Sequence, residues 1–366
     1  MKISIITSPF GSIPPNATGA VEKLFYDLAQ EFIKHGNEVT FYCCGGGEEG
    51  KNKYVHITPY KRSGSIKIDL VKDFCYSLEM FFKLTRTDIL ILNTFWSPIL
   101  ARFFKWKYKK VVYGVHRFPK GQFKYYLNMD LLICVSTAVC NALLRQTPQA
   151  KDKAVVIANP VNNQVFYFCK KNTINAIEIM YSGRIHPQKG LHVLVQAFIK
   201  LINEFPKTRL TFIGEVALEK GGGGETYRND LLQLAKGHEI KFIPAVTNPV
   251  ELAGTLSKAD IFCYPSLASQ GEAFPVAPLE AMALGIPVVV SDLECFMDLI
   301  VPNENALIFK RDNNQVESLV DQLKRLICDE ALRQRLGKNA ARRAREFATD
   351  KIANKYLTVF EKLMQK

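Results

Sequence analysis

Short β-rich runs alternate with helical patterns twice over along this chain, and that double alternation restricts the fold more than any other feature. In the first round the strand candidates are 2–7, 38–43, 54–58, 88–93, 110–115, 130–135 and 154–158. In the second they are 177–182, 209–213, 239–243, 260–264, 286–291 and 305–309. Between the first two strands lies a helix from about Gly19 to His35. Its apolar residues Val21, Leu24, Phe25, Leu28 and Phe32 share one face, and Gly36 stops it. The helix after strand 177–182 carries Leu191, Leu194, Val195, Phe198, Leu201, Ile202 and Phe205 on a broad apolar face and ends at Pro206. Runs such as Ile286–Val290 are apolar throughout, as expected of parallel strands covered by helices on both faces. A chain of 366 residues is long for one core, and the polar run Lys170-Lys171-Asn172-Thr173 interrupts the pattern. The expected architecture is α/β, with two doubly wound, Rossmann-like domains facing a cleft. Residues 1–165 form the first domain and 166–349 the second, with a helix at 350–366 packing back on the first. The last stretch reads as helical, broken near Asp350.

Composition narrows the setting. No stretch reaches 18 consecutive apolar residues, so no transmembrane helix is expected. The apolar run within Met1–Thr7 is too short for a signal-peptide core and reads as a strand. The nine cysteines form no C-x-x-C pair, and the six histidines show no metal-ligand spacing. A cytoplasmic protein without a structural metal follows as the expectation. Residues 1–165 hold 22 Lys and Arg against 12 Asp and Glu, whereas the remainder holds 26 against 23. A basic first half calls for an acidic partner: anionic lipid, a phosphorylated acceptor or nucleic acid. No nucleic-acid motif is present. The segment Arg102–Lys110 mixes aromatic and cationic residues as a membrane-surface segment does, which favours peripheral contact with an anionic membrane.

Two stretches carry chemistry. Ser182-Gly183-Arg184-Ile185-His186-Pro187-Gln188-Lys189-Gly190 lies between a strand and a helix, at the edge where open α/β sheets bind ligands. Arg184 and Lys189 would bring two cations near a helix amino end, a good environment for a diphosphate. A strand-to-helix turn with solvated charges reads equally well from these residues alone. The second stretch, Ser266 to Met282, holds Glu272 on a loop and Glu280 in the first turn of a helix opened by Pro275 and Pro278. A carboxylate there could accept two ribose hydroxyls, or could merely complement the helix dipole. The glycine runs Gly45-Gly46-Gly47 and Gly221–Gly224 read as flexible loops, since neither forms a phosphate-binding fingerprint.

The run GEAFPVAPLEAMALGIPVVVSD resembles the E-x7-E signature of family 4 glycosyltransferases, and SGRIHPQKG is similar to their G-R-x4-K-G turn. ICVS at 133–136, VIANPVNNQVF at 156–166 and the amino-terminal SPFGSIPPNATGAVEK keep the same order, so the resemblance spans essentially the whole chain. It implies the GT-B fold and a retaining hexosyltransferase that uses a nucleotide diphosphate sugar, with no metal and no cofactor. By this resemblance Arg184 and Lys189 grip the donor diphosphate and stabilise the departing charge, beside Gly183. Glu280 would hold the nucleotide ribose. Glu272 would contact the transferred sugar, with the Phe274, Pro275, Val276 and Ala277 backbone lining the same pocket. Gly19 would let backbone approach the donor or acceptor, although Ala20 stands where the family has a second glycine. His116, in Tyr113-Gly114-Val115-His116-Arg117, would face the sugar across the cleft. Pro275 stands where many relatives have glycine, and Asp298 replaces a glutamate. UDP is favoured over GDP. The implied setting is bacterial surface polysaccharide or glycolipid assembly, with a glycan or lipid-linked acceptor. A sugar-nucleotide epimerase of the same fold and a non-catalytic nucleotide-sugar-binding subunit are the competing readings. The joint presence of Arg184, Lys189 and Glu272 argues against the second.

Overall fold

The structure is a computed structural model and describes residues 1–13, 20–45, 53–168 and 176–365. It divides into two compact units, Met1–Pro160 with Thr349–Lys366, and Val161–Ala348.

The first unit holds seven strands: β1 (Lys2–Ile6), β2 (Glu38–Cys43), β3 (Lys53–His56), β4 (Thr87–Leu92), β5 (Tyr108–Val115), β6 (Leu131–Cys134) and β7 (Ala154–Val156). All pair in parallel, in the order β3-β2-β1-β4-β5-β6-β7. The helices between them are α1 (Ala20–Lys34), α2 (Ile66–Lys83), the short α3 (Ser97–Ala101) and α4 (Thr137–Gln146). Ile89, Leu90, Ile91 and Leu92 of β4 are all buried, because a central parallel strand is covered on both faces. α1 buries Leu24, Phe25, Leu28 and Phe32 of the stripe that the sequence periodicity marks, while Val21 is half-buried. α4 starts at Ser136, whose hydroxyl accepts the Val139 N–H at 3.2 Å as an N-cap.

The second unit repeats the scheme with β8 (Glu178–Ser182), β9 (Arg209–Ile213), β10 (Ile240–Ile243), β11 (Ile261–Tyr264), β12 (Val288–Ser291) and β13 (Ala306–Phe309). Its order is β10-β9-β8-β11-β12-β13, again parallel throughout. Its helices are α5 (Leu191–Glu204), α6 (Gly224–Leu234), α7 (Pro249–Leu256), α8 (Val276–Ala283), α9 (Gln315–Cys328) and α10 (Glu330–Ala344). A final helix, α11 (Thr349–Gln365), belongs to the first unit. Its Tyr356 and Phe360 rings lie 6.2 and 6.1 Å from the Phe32 ring of α1.

The units divide at Pro160, five residues ahead of the boundary drawn from the sequence. The backbone N–H of Val161 donates to Phe347 O at 2.8 Å, and Val161 bridges Ala348, which attaches the following residues to the second unit. The carboxy-terminal helices break over Arg345–Ala348, next to the expected break near Asp350. Glu280 also sits later in its helix than the sequence reading placed it. Pro275 is the N-cap of α8, so Glu280 falls in the second turn and no acidic residue occupies the first.

Phe360 is fully buried against α1. Phe360→Ala should therefore destabilise the first unit by about 3–5 kcal/mol, as truncation of a buried aromatic does. Urea denaturation followed by far-UV circular dichroism reads this out, and an unchanged midpoint would detach α11 from that core.

Candidate active site

In the second sheet β8 and β11 are neighbours, and the chain leaves them toward opposite edges, β8 toward β9 and β11 toward β12. The crevice past the carboxyl ends of such a strand pair is where open α/β sheets take ligands. The loop after β8 carries Arg184 and Lys189, and the loop after β11 carries Glu272. Gly183 follows β8, its N–H donating to Ile213 O at 2.9 Å. A short 3-10 turn over Pro187–Lys189 leads into α5 through Gly190. Gly190 has a φ of +68°, and a Cβ there would lie 2.0 Å from Pro265 O, so only glycine lets the two loops pack backbone against backbone. Leu267 N–H donates to Gln188 O at 2.9 Å across the same junction.

Lys189 is not a surface cation. It is 7% exposed and forms an ion pair with Glu272, itself 5% exposed. Lys189 Nζ also donates to the Tyr264 hydroxyl at 3.2 Å. Glu272 Oε1 further accepts from Tyr264 at 3.2 Å and from Ser266 Oγ at 2.9 Å. Ser266 is anchored in turn, its carbonyl accepting from Ser291 Oγ at 2.6 Å. Arg184 is exposed, with Nη1 donating to Gly221 O at 3.0 Å. The Gly221–Gly224 segment is therefore not an independent loop: Gly223 N–H bonds Ile185 O at 2.7 Å, which ties it to the Arg184 turn. His186 caps that turn, with Nδ1 accepting from Gln188 N–H at 3.2 Å. Burial and then the Arg184 and Lys189 charges push its pKa down. Phe274 is buried with its ring 5.9 Å from Phe347, followed by Pro275 and by Val276 and Ala277, which open α8. Glu280 is half-buried in the second turn.

The first unit has a corresponding edge, where β1 and β4 are adjacent at the point of reversal. His116 follows β5 there, and Asn93 follows β4 with its amide donating to Ile6 O at 3.0 Å. His116 Nε2 and Asn93 Oδ1 are buried without a hydrogen-bond partner among the described residues. A Cβ on Gly114 would sit 2.4 Å from the first and 2.8 Å from the second, so the glycine makes room for both. Burial, and secondarily Arg117, lowers the His116 pKa to about 4, which leaves a neutral imidazole at pH 7. Gly19 lies outside the described residues. α1 begins at Ala20, and its buried Glu22 carboxylate approaches the backbone of Gly11. Tyr264, Ser266 and Asn93 escape a reading by motif. Each is a polar residue at or just past the carboxyl end of an apolar strand run, and that position was the available signal.

Two Rossmann-like units with all-parallel sheets, one bearing a buried Lys–Glu pair at the reversal point of its sheet, have the GT-B architecture. The family model described as Glycosyltransferase Family 4 matches residues 21–165, and that described as Glycosyl transferases group 1 matches residues 170–343. The chain belongs to the family 4 type of glycosyltransferase. It is 22% identical over 346 residues to the capsular polysaccharide biosynthesis glycosyltransferase CapM of Staphylococcus aureus, a match covering 86% of this chain and 87% of that protein. Its fold is similar to that of sucrose-phosphate synthase from Thermosynechococcus elongatus, with a TM-score of 0.81, 17% identity, and coverage of 100% of this chain and 99% of that one. It is likewise similar to Anabaena HepE in complex with UDP and glucose, with a TM-score of 0.75, 18% identity, and coverage of 99% of both chains.

The two cations should differ in what they do for the fold. Lys189→Ala strands a buried carboxylate, and removing one member of a buried pair destabilises by about 3–5 kcal/mol. Arg184→Ala removes an exposed side chain and should change stability by less than about 0.5 kcal/mol. Urea titrations of both variants separate the effects, and equal midpoints would contradict the buried pair.

Proposed function

We propose that this glycosyltransferase moves a hexose from a nucleoside diphosphate sugar to a glycan or lipid-linked acceptor, with retention of configuration and without a metal ion. The observation that carries the reading is the Lys189–Glu272 pair at the β8–β11 reversal point, directly ahead of α5, with Arg184 on the same turn. A diphosphate held there meets two cations and the first turn of a fourteen-residue helix, whose leading N–H groups lack intrahelical partners. These groups supply the charge stabilisation that a metal supplies elsewhere. The bond from the anomeric carbon to the diphosphate oxygen breaks as the acceptor oxygen attacks from the same face. The acceptor proton passes to the leaving phosphate oxygen. Glu272 holds a hydroxyl of the moving sugar, Glu280 the ribose, and His116, a neutral imidazole, faces the transferred sugar. UDP is the favoured nucleotide, supported by the binding of UDP and glucose in HepE. The CapM likeness supports an acceptor in surface polysaccharide assembly.

An anionic membrane surface is the proposed place of work. No helix among the described residues is long and apolar enough to cross a membrane. The outer side of α2 nevertheless exposes Ile68, Val71, Phe74 and Phe82. Ring contacts carry this surface onto the basic segment, with Phe82–Phe104 at 5.8 Å and Phe104–Trp106 at 5.5 Å. Exposed Lys67, Arg102 and Lys105 border it. Lys107 is occupied otherwise, its ammonium capping α2 through the carbonyls of Phe81, Phe82 and Leu84.

Product analysis with a panel of nucleotide sugars tests the activity. Transfer should persist in excess EDTA, and Arg184→Ala should lower turnover by about two to three orders of magnitude. Loss in EDTA with rescue by magnesium would overturn the metal-free mechanism. In vesicle flotation the protein should rise with anionic vesicles, less so at high salt, and Phe82→Asp should weaken binding. Absence from neutral and anionic vesicles alike would point to a soluble acceptor.

A further inference from the structure

We propose that Tyr264 and Ser266 are positioning residues that turn Glu272 so that its Oε2 alone meets the transferred sugar. The proposal rests on the glycosyl-transfer reading above. Three donors converge on Oε1: the Lys189 ammonium, the Tyr264 hydroxyl at 3.2 Å and Ser266 Oγ at 2.9 Å. None of the three hydrogen-bonds Oε2. A carboxylate oxygen offers about two lone-pair sites, so Oε1 has no capacity left for a sugar hydroxyl.

The two hydroxyl donors are themselves immobile. Tyr264 is buried, stacked on Tyr181 with ring centres 5.4 Å apart and 23° between planes, and met at its edge by Phe296 at 6.1 Å. Tyr181 uses its own hydroxyl to hold Arg184 O at 2.9 Å. One aromatic layer thus carries two hydroxyls, one fixing the backbone of the phosphate turn and the other the carboxylate. Burial, and then the Glu272 charge, push the Tyr264 pKa well above its ordinary value, so the phenol stays a donor. Ser266 is fully buried and held through its carbonyl by Ser291. A carboxylate fixed in this way meets a sugar hydroxyl through one oxygen and cannot bridge a vicinal pair with both. A sugar epimeric at that hydroxyl then loses a charge-assisted hydrogen bond. Releasing either donor frees the carboxylate to rotate and blurs that choice.

The test uses Tyr264→Phe, which keeps the stacked ring, and Ser266→Ala as an independent variant. Calorimetry compares UDP and GDP with UDP-glucose, UDP-galactose and GDP-mannose, and turnover is measured for each donor. Each variant should keep its affinity for the free nucleotide and lose about tenfold to a hundredfold in turnover with the preferred sugar, as expected for losing a hydrogen bond to a charged group. The ratio between UDP-glucose and UDP-galactose should move toward one. Unchanged turnover and unchanged preference in both variants would overturn the proposal. So would a matching loss of free-nucleotide affinity, which would mark a collapse of the whole turn. If the wild-type protein binds none of these donors, the glycosyl-transfer reading fails and this proposal falls with it.

Discussion

A lysine and a glutamate buried together in the interior dictate what surrounds them. Neither charge could remain there alone, because removing an ion from water costs several kcal/mol that only a close partner and further hydrogen bonds offset. Glu272 therefore has Tyr264 and Ser266 as well as Lys189. Bringing the lysine to the glutamate requires the loops after β8 and β11 to touch, which needs the missing side chain at Gly190. Those loops meet because β8 and β11 are paired neighbours, aligned through Ile179 with Ile261 and Met180 with Phe262. The order of strands in the sheet and the ion pair are one constraint seen at two scales.

Much of this fold is legible in the sequence because parallel strands covered on both faces must be short, apolar and β-branched. Each of the thirteen strands among the described residues overlaps a run identified by that pattern. α1 and α5 are legible because each has one buried side. α2 hides from the same reasoning, since Val71, Phe74 and Phe82 face outward while Tyr76, Met80 and Phe81 face inward, and no single stripe stands out. In the candidate site the charged motif residues are visible, but their environment is not. Lys189 reads as a solvated cation until its partner is known, and that partner lies 83 residues downstream. The Gly221–Gly224 run reads as slack chain because its bonds to Ile185 and Arg184 are tertiary. The prolines place Glu280 one turn too early, because they mark a helix start without saying which of them caps it.

The two units place different demands on polar groups. In the second, buried polar side chains of the reversal point are paired with one another. In the first, His116 Nε2 and Asn93 Oδ1 lie around Gly114 without partners among the described residues. Orphaned buried polar atoms are uncommon in folded proteins. Their cost is tolerable where a ligand completes them, and their position beyond β4 and β5 is where a ligand of this sheet belongs.

The return of α11 to the first unit has a consequence for the order in which the protein is made. Domains generally fold as units while the chain emerges, the amino-terminal one first. Here Phe25 and Phe32 pack against Tyr356, and Phe32 also against Phe360, all on a helix that follows the entire second unit. The first unit thus lacks part of its core packing when residues 1–160 alone have left the ribosome. That aromatic face of α1 takes its cover from residues made after the second unit, which is contiguous from Val161 to Ala348. The earlier-made part of the first unit depends on later-made residues for its final cover.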